Sequence, residues 1–482
     1  MIDSLGVWCA SGCNCVRIRA KNPGQVDCTF VIPVSYDRDK SRPRSVHTTA
    51  MSASRTIFTN LGILGGGRVV HALLNLGATA CLSRSLDIGD FGTVVLIHVF
   101  LLTIRAVVNL RAHLAVVRFG IPMLQADDQN SLARLLVLVA DTDRRCAFLS
   151  TALAAGLLPL AGMLMDWDRH ILVLSALASL ILLRSDTAVA MGYLQVQGQI
   201  RELNRHVLLG VGTRCVGTLV GLLLALDLYY FVLVWTASIG IEYETLRRAG
   251  FRELHRNGLA LASFTALSPA HLHGLTRFTA IAWAQSVLDL IPQRMVTLLV
   301  GIDQGSGAGG LFRVASECST VLSRPAQLLR QTVFPDLVRL IGTDSLEASR
   351  AVLHVTTFAL AIGSGVTLLS LSFGDVFLST VFGPAFAPAS TLLSWLLGAA
   401  AIELAGAALR PAGQALDRSA ALLYGQCAGS VALLSLLYPL QSLFGLNGAG
   451  MAAAVGAFVH VTTMTIIVLM ALRAHRPSPL RG

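Results

Sequence analysis

From residue 57 onward the chain alternates long apolar runs with short charged punctuation. A helix spans roughly 30 Å of hydrocarbon with about 20 mostly apolar residues. Twelve runs approach or meet that length. They are Ile57–Cys81, Gly92–Leu110, Cys146–Met165, Ile171–Leu194, Val207–Leu226, Leu228–Tyr243, Phe278–Val300, Gly309–Leu329, Ala351–Phe373, Thr391–Leu409, Ser419–Leu440 and Leu446–Leu472. The pattern predicts an all-α, polytopic membrane protein with about 12 transmembrane helices. Composition agrees: 54% of the 482 residues are hydrophobic and only 13% are charged, with a mean hydropathy of +0.67. A soluble domain of this size needs far more polar surface.

Charge orients the spans. Past Met51 there are thirty arginines and no lysine. Twenty-one fall in loops after even-numbered spans or at the termini, and two, Arg84 and Arg169, in loops after odd-numbered spans. The arginine-rich side is the expected cytoplasmic side, so both termini are placed in the cytoplasm. The net charge of +10 is dispersed among apolar runs with no basic patch interleaved with aromatics. It therefore points to anionic lipid as a partner and not to nucleic acid.

The loop from Glu242 to Arg277 separates six spans from six. Leu86-Asp87-Ile88-Gly89 after span 1 is echoed by Ile302-Asp303-Gln304-Gly305 after span 7. Gly198-Gln199 after span 4 is echoed by Gly413-Gln414 after span 10. The two offsets, 216 and 215 residues, indicate a duplication. An even number of spans per repeat predicts two six-helix lobes related by a pseudo-two-fold axis along the membrane normal. The expected division is an N-lobe over 51–243, a cytoplasmic linker over 244–276, a C-lobe over 277–472 and a tail over 473–482. Residues 1–50 hold both lysines and four of nine cysteines. They read as a disordered tail or as a start-site artefact. Cys9, Cys13 and Cys15 form no Cys-x-x-Cys pair, which disfavours a metal site.

Ionisable groups inside spans are costly and mark candidate sites. Span 1 carries Arg68, His71, Asn75 and Thr79 on one helical face. Span 2 carries His98, Arg105 and Asn109. Span 4 carries Arg184 and Asp186. Span 7 carries Gln285, Asp289, Gln293 and Arg294 beside Pro292, which removes a helix hydrogen bond and predicts a break. Span 8 carries Arg313, Glu317, Thr320 and Arg324. Arg324 and Arg214 also fit snorkelling toward the interface. Arg313 and Glu317 also fit a structural ion pair, and His71 also fits a packing role. The excess of arginine predicts an anionic cargo, a phosphate or diphosphate, bound by Arg68, His71, Arg105, Arg184, Arg294 and Arg313. Asp289 and Glu317 are the candidates for ion coupling. Without lysine past Met51 there is no phosphate loop, and no metalloprotease motif or nucleophile elbow occurs. A transporter without cofactors is expected, not an enzyme.

Several segments are similar to bacterial oligosaccharide flippases, the polysaccharide transporter branch of the multidrug/oligosaccharidyl-lipid/polysaccharide superfamily. Leu82-Ser83-Arg84-Ser85-Leu86-Asp87-Ile88-Gly89-Asp90-Phe91-Gly92 resembles their element after span 1. Leu298-Leu299-Val300-Gly301 with Gly310-Leu311-Phe312-Arg313-Val314-Ala315 resembles a second element. Phe334-Pro335, Phe382-Gly383-Pro384-Ala385-Phe386 and Leu446-Asn447-Gly448-Ala449-Gly450 resemble three more. The resemblance runs from Ile57 to Leu472. It implies a flippase of the bacterial inner membrane, moving polyprenyl-diphosphate-linked oligosaccharides for surface polysaccharide biosynthesis by alternating access. A polysaccharide polymerase is then a further candidate partner. The related lipid II flippases use cavity arginines, and Arg68 and Arg105 fall on the corresponding helices. Multidrug members depend on acids in spans 1 and 7. Here span 1 is basic and only Asp289 qualifies, so a cation-coupled drug exporter is the alternative. A membrane polymerase or ligase usually needs a large outer loop; the outer loops here are short and acidic, which leaves it the lesser alternative.

Overall fold

The computed structural model describes Gly67, 69–259, 261–263, 265–266, 274–320, 345–409, 412–413 and 419–474. Residues 1–50, Arg68, Arg324 and the Phe334-Pro335 element lie outside them. The described residues form fifteen helices: α1 (69–85), α2 (Ile88–Val108), α3 (Ala112–Gln125), α4 (Gln129–Met165), α5 (Arg169–Ser179), α6 (Ala188–Val196), α7 (Ile200–Leu223), α8 (Leu228–Arg256), α9 (Leu275–Leu290), α10 (Val296–Gln304), α11 (306–320), and α12 (Ser345–Phe382), α13 (Ser390–Ala405), α14 (Ser419–Phe444) and α15 (Leu446–Ala474). No strand occurs among the described residues. Eight of these helical stretches are long and apolar enough to cross a membrane. Their exposed flanks are rich in leucine, such as Leu223, Leu369 and Leu371, as a lipid solvent requires.

Three departures from the apolar pattern have physical causes. Helix α4 begins seventeen residues before Cys146. Asp128 caps it by accepting the Ser131 N–H at 3.0 Å, and Leu132, Leu135, Leu136 and Val139 form a helical stripe. That stripe buries against Val116 of α3, Tyr193 of α6 and Leu254 of α8. The result is an apolar cluster beside the arginine-rich face, in a stretch that reads by sequence as loop. Helix α8 runs past Tyr243 to Arg256, so the first part of the expected linker, 244–256, is helix. Glu244 pairs with Arg247 and Arg248 at 3.3 and 2.7 Å, one turn away, which supports the extension. Predicted span 4 is broken into α5, a 3₁₀ turn at Leu180–Arg184 and α6. Predicted span 7 breaks where Pro292 demands it, as a π-turn over Ile291–Met295 between α9 and α10.

Helix α2 is the seam between the halves. It packs on α4 and α8 on one side and on α9 and α10 on the other. At its arginine-poor end the first turn of α2 meets the first turn of α11. A Cβ at Gly310 would stand 3.0 Å from the Gly92 Cα, and one at Gly307 would stand 2.6 Å from the Ile88 side chain. These contacts lie at and just after the two segments that the 216-residue offset pairs, 86–89 and 302–305. Self-complementary contact between equivalent segments is what a two-fold axis generates. Phe91 stacks edge-on against Phe386 at 5.1 Å. The Ser83 hydroxyl donates to the Phe382 carbonyl at 2.9 Å, and Arg84 donates to the carbonyls of Val381 and Thr380. Three of the resemblance elements thus converge at one junction. At the other end of α2, Trp283 Nε1 donates to the Val107 carbonyl at 2.6 Å and Arg111 Nε to the Ser286 hydroxyl at 2.7 Å. Arg118 of α3 lies 4.5 Å over the Phe278 ring.

Candidate functional site

The polar faces of spans 1 and 8 meet at Glu317. Its buried carboxylate accepts from Arg313 Nε and Nη2 at 3.0 and 2.6 Å, from Asn75 Nδ2 at 3.1 Å and from the Thr79 hydroxyl at 2.8 Å. Asn75 Oδ1 in turn accepts from Arg214 Nη1 at 3.2 Å. Arg214 also donates to the Ser238 hydroxyl at 3.1 Å and lies 4.9 Å over the Trp235 ring. His98 packs edge-on against that same ring at 5.0 Å. Arg214 therefore does not snorkel. It is held inside the bundle, in a network that runs from α7 through α1 to α11. Arg313 and Glu317 form the ion pair that their spacing allows, and Glu317 is committed to four donors.

Arg105 differs from its expected role. It is buried, and Nη2 donates to Asp143 Oδ1 and to the Ser185 carbonyl, both at 2.8 Å. Asp143 Oδ2 accepts the Ala188 N–H at 2.8 Å. The pair thus satisfies the backbone groups freed by the break in span 4, as a broken helix in a bilayer requires. Asp143 precedes the apolar run that starts at Cys146, so by sequence it falls in a loop and not beside Arg105. Arg184 also leaves the candidate cavity set. Its half-exposed side chain pairs with Glu244 of α8.

Arg294 is different. It sits in the π-turn, half-buried, and Nη1 donates to the Leu102 carbonyl of α2 at 2.8 Å. Among the described residues it has no carboxylate partner. His71, on the same face of α1 as Asn75, is half-buried and engaged in contacts of its own.

A second site joins Asp289 to Glu403, Gln426 and His460, which the sequence pattern does not single out. A cavity of about 420 Å³ opens between α9, α11, α13, α14 and α15, with Arg111 at its wall. Asp289 Oδ1 accepts from Gln426 Nε2 at 2.6 Å, and Glu403 Oε1 lies 2.7 Å from His460 Nδ1. Pro292 lines the same space, so the broken helix does border a cavity. Glu403 and His460 sit within predicted spans 10 and 12, and an ionisable residue there is itself the signal. Among the described residues no group of three or more His, Cys, Asp or Glu is arranged to hold a metal ion. The five described cysteines are free thiols.

No protein-family model matches the chain. The chain is 26% identical over 361 residues to the inner membrane protein YghQ of Escherichia coli (strain K12), a match covering 72% of this chain and 98% of that protein. Its fold superposes on a multidrug resistance MATE family transporter of the MOP superfamily, in an inward-facing conformation, with a TM-score of 0.66 at 14% identity, covering 85% of this chain and 96% of that one. It also superposes on the lipid II flippase MurJ in an inward closed conformation, with a TM-score of 0.63 at 11% identity, covering 86% of this chain and 90% of that one. The chain therefore has the twelve-helix, two-lobed fold of those transporters.

Proposed function

We propose that this protein is a flippase that carries a polyprenyl-diphosphate-linked oligosaccharide across the bacterial inner membrane by alternating access. The observation that carries the reading is Arg294. Its guanidinium is held among apolar helices, bonded to one carbonyl and to no carboxylate among the described residues. Such a charge is costly in a bilayer, and an anionic ligand offsets that cost. Arginine stays charged and presents a fork suited to phosphate oxygens. Arg294 also bridges the π-turn between α9 and α10 to α2, so an anion bound to it would act on the contact between halves. Arg68 remains a proposed partner from span 1, while Arg105, Arg184 and Arg313 already have carboxylate partners. The arginine-rich face is proposed as cytoplasmic. The likeness to an inner membrane protein and to a lipid II flippase supports this reading.

The test is deletion of the gene. Lipid-linked repeat units should accumulate on the inner leaflet and surface polysaccharide should fall, with restoration by the wild-type gene and not by Arg294→Ala. Unchanged polysaccharide with no accumulating intermediate sinks the proposal.

A second reading, a cation-coupled multidrug exporter, is favoured by the carboxylates of Asp289 and Glu403 in the 420 Å³ cavity and by the MATE-like fold. Predicted span 1 contains no acid, which weighs against it. Loss of drug resistance in the deletion strain, with polysaccharide intact, would select it.

A further inference from the structure

We propose that the cavity between α9, α11, α13, α14 and α15 receives the carried glycan, as a neutral, hydroxyl-rich group, while the adjoining diphosphate stays outside, held by Arg294 and reached by Arg111 from the cavity wall. This rests on the flippase reading and adds a subsite to it. The cavity measures about 420 Å³, within the usual span of small-molecule sites, roughly 300–1,000 Å³. It is far larger than a single ion needs.

Its wall holds polar atoms with unused bonding capacity. Ser316 and Ser430 line the cavity and are only 8% and 9% exposed. Among the described residues neither hydroxyl has a hydrogen-bond partner. The buried Nε2 of His460 has none either. The two hydroxyls open onto the cavity, where an occupant that both donates and accepts can bond them. A sugar hydroxyl does both. The two pairs, Asp289 with Gln426 and Glu403 with His460, add oriented acceptors.

The same wall argues against other occupants. Two carboxylates would repel a diphosphate, so the anion is kept out by charge. A bare divalent cation of the calcium kind requires roughly six to eight oxygen ligands, and no metal-holding cluster is present among the described residues. Arg111 lies on the wall, exposed, with Nε already bonded to Ser286. Its terminal nitrogens suit a phosphate at the edge of the cavity. Sugar inside and diphosphate at an arginine match the order of groups along a lipid-linked glycan.

The test uses the full chain in its own cells, with a diazirine analogue of leucine encoded at one position. The positions are Leu433 in the cavity wall, Leu102 beside Arg294, and the exposed Leu369 of α12 as control. After illumination, adducts are digested and identified by mass spectrometry. Sugar-bearing adducts are expected at Leu433 and not at Leu369. They should fall roughly tenfold in Gln426→Leu and in Ser430→Ala, the scale of one lost buried hydrogen bond. Polyprenyl diphosphate at Leu102 with no sugar at Leu433 overturns this inference and leaves the flippase reading standing. An organic cation at Leu433 in place of sugar overturns it in favour of the exporter. No polyprenyl diphosphate adduct at either Leu433 or Leu102 overturns both.

Discussion

A Cβ placed on Gly92 would stand 1.9 Å from the carbonyl oxygen of Ser306. The two backbones touch where the first turn of α2 meets the first turn of α11, and only a hydrogen side chain fits. Gly92→Ala should therefore hold the junction apart. Overpacking of this kind costs about 1–3 kcal/mol, enough to shift a two-state equilibrium by about 5–150-fold. Ser83 is 5% exposed beside the junction, so Ser83→Cys in a background without other accessible cysteines reports on it. Labelling by an impermeant maleimide should rise in the Gly92→Ala variant. Unchanged protection would show that the junction does not depend on this contact.

Glu317 neutralises Arg313 and ties α1 to α11. Glu317→Leu should destabilise the protein by about 3–5 kcal/mol, the scale for orphaning a partner of a buried pair. The double variant Arg313→Met, Glu317→Leu should recover much of that loss. Thermal unfolding in detergent gives the comparison. Equal loss in the single and double variants would mean that Glu317 acts through Asn75 and Thr79 alone.

Arg105 and Asp143 hold the broken span 4 together. Arg105→Lys keeps the charge but loses the fork that reaches both Asp143 and the Ser185 carbonyl. Its folded yield and melting temperature should fall while affinity for a diphosphate lipid in the surviving fraction stays unchanged. Arg294→Lys should do the reverse. Its stability should hold, and affinity for undecaprenyl diphosphate should drop roughly 10- to 100-fold, as for one charged hydrogen bond of about 1.5–3 kcal/mol. If both variants lose affinity alike, Arg105 belongs to the ligand site after all.

His113 of α3, outside the spans, is buried, and burial together with the neighbouring Arg111 pulls its imidazole down from 6.5 to about 4. The unfolded chain takes up that proton first as pH falls. The contribution of a neutral His113 is thus fully present above pH 6.5 and is lost as pH drops toward 4. It amounts to at most about 3 kcal/mol. His113→Gln should flatten this part of the stability profile between pH 6.5 and 4. A profile unchanged by the substitution would assign the acid sensitivity to other groups.

Each apolar span announces itself locally, because an apolar run must be buried in lipid or protein whatever its neighbours do, whereas α3 and the first seventeen residues of α4 lie outside the predicted runs. Pro292 likewise announces its own break, since it lacks an N–H. The sequence alone therefore determined an all-α membrane protein, its span order, the bias of arginine to one face and the paired turns at Asp87 and Asp303. It could not determine which arginines are free to act. Arg105 is neutralised from 38 positions away, and Glu317 finds Asn75 and Thr79 about 240 positions away. Helical periodicity places a side chain on a face but is silent on which face of a distant helix lies opposite. Only the packing of α2 against α9 and α10, and of α13 against α15, decided that Arg294 lacks a carboxylate among the described residues and that Asp289, Glu403 and His460 share a cavity.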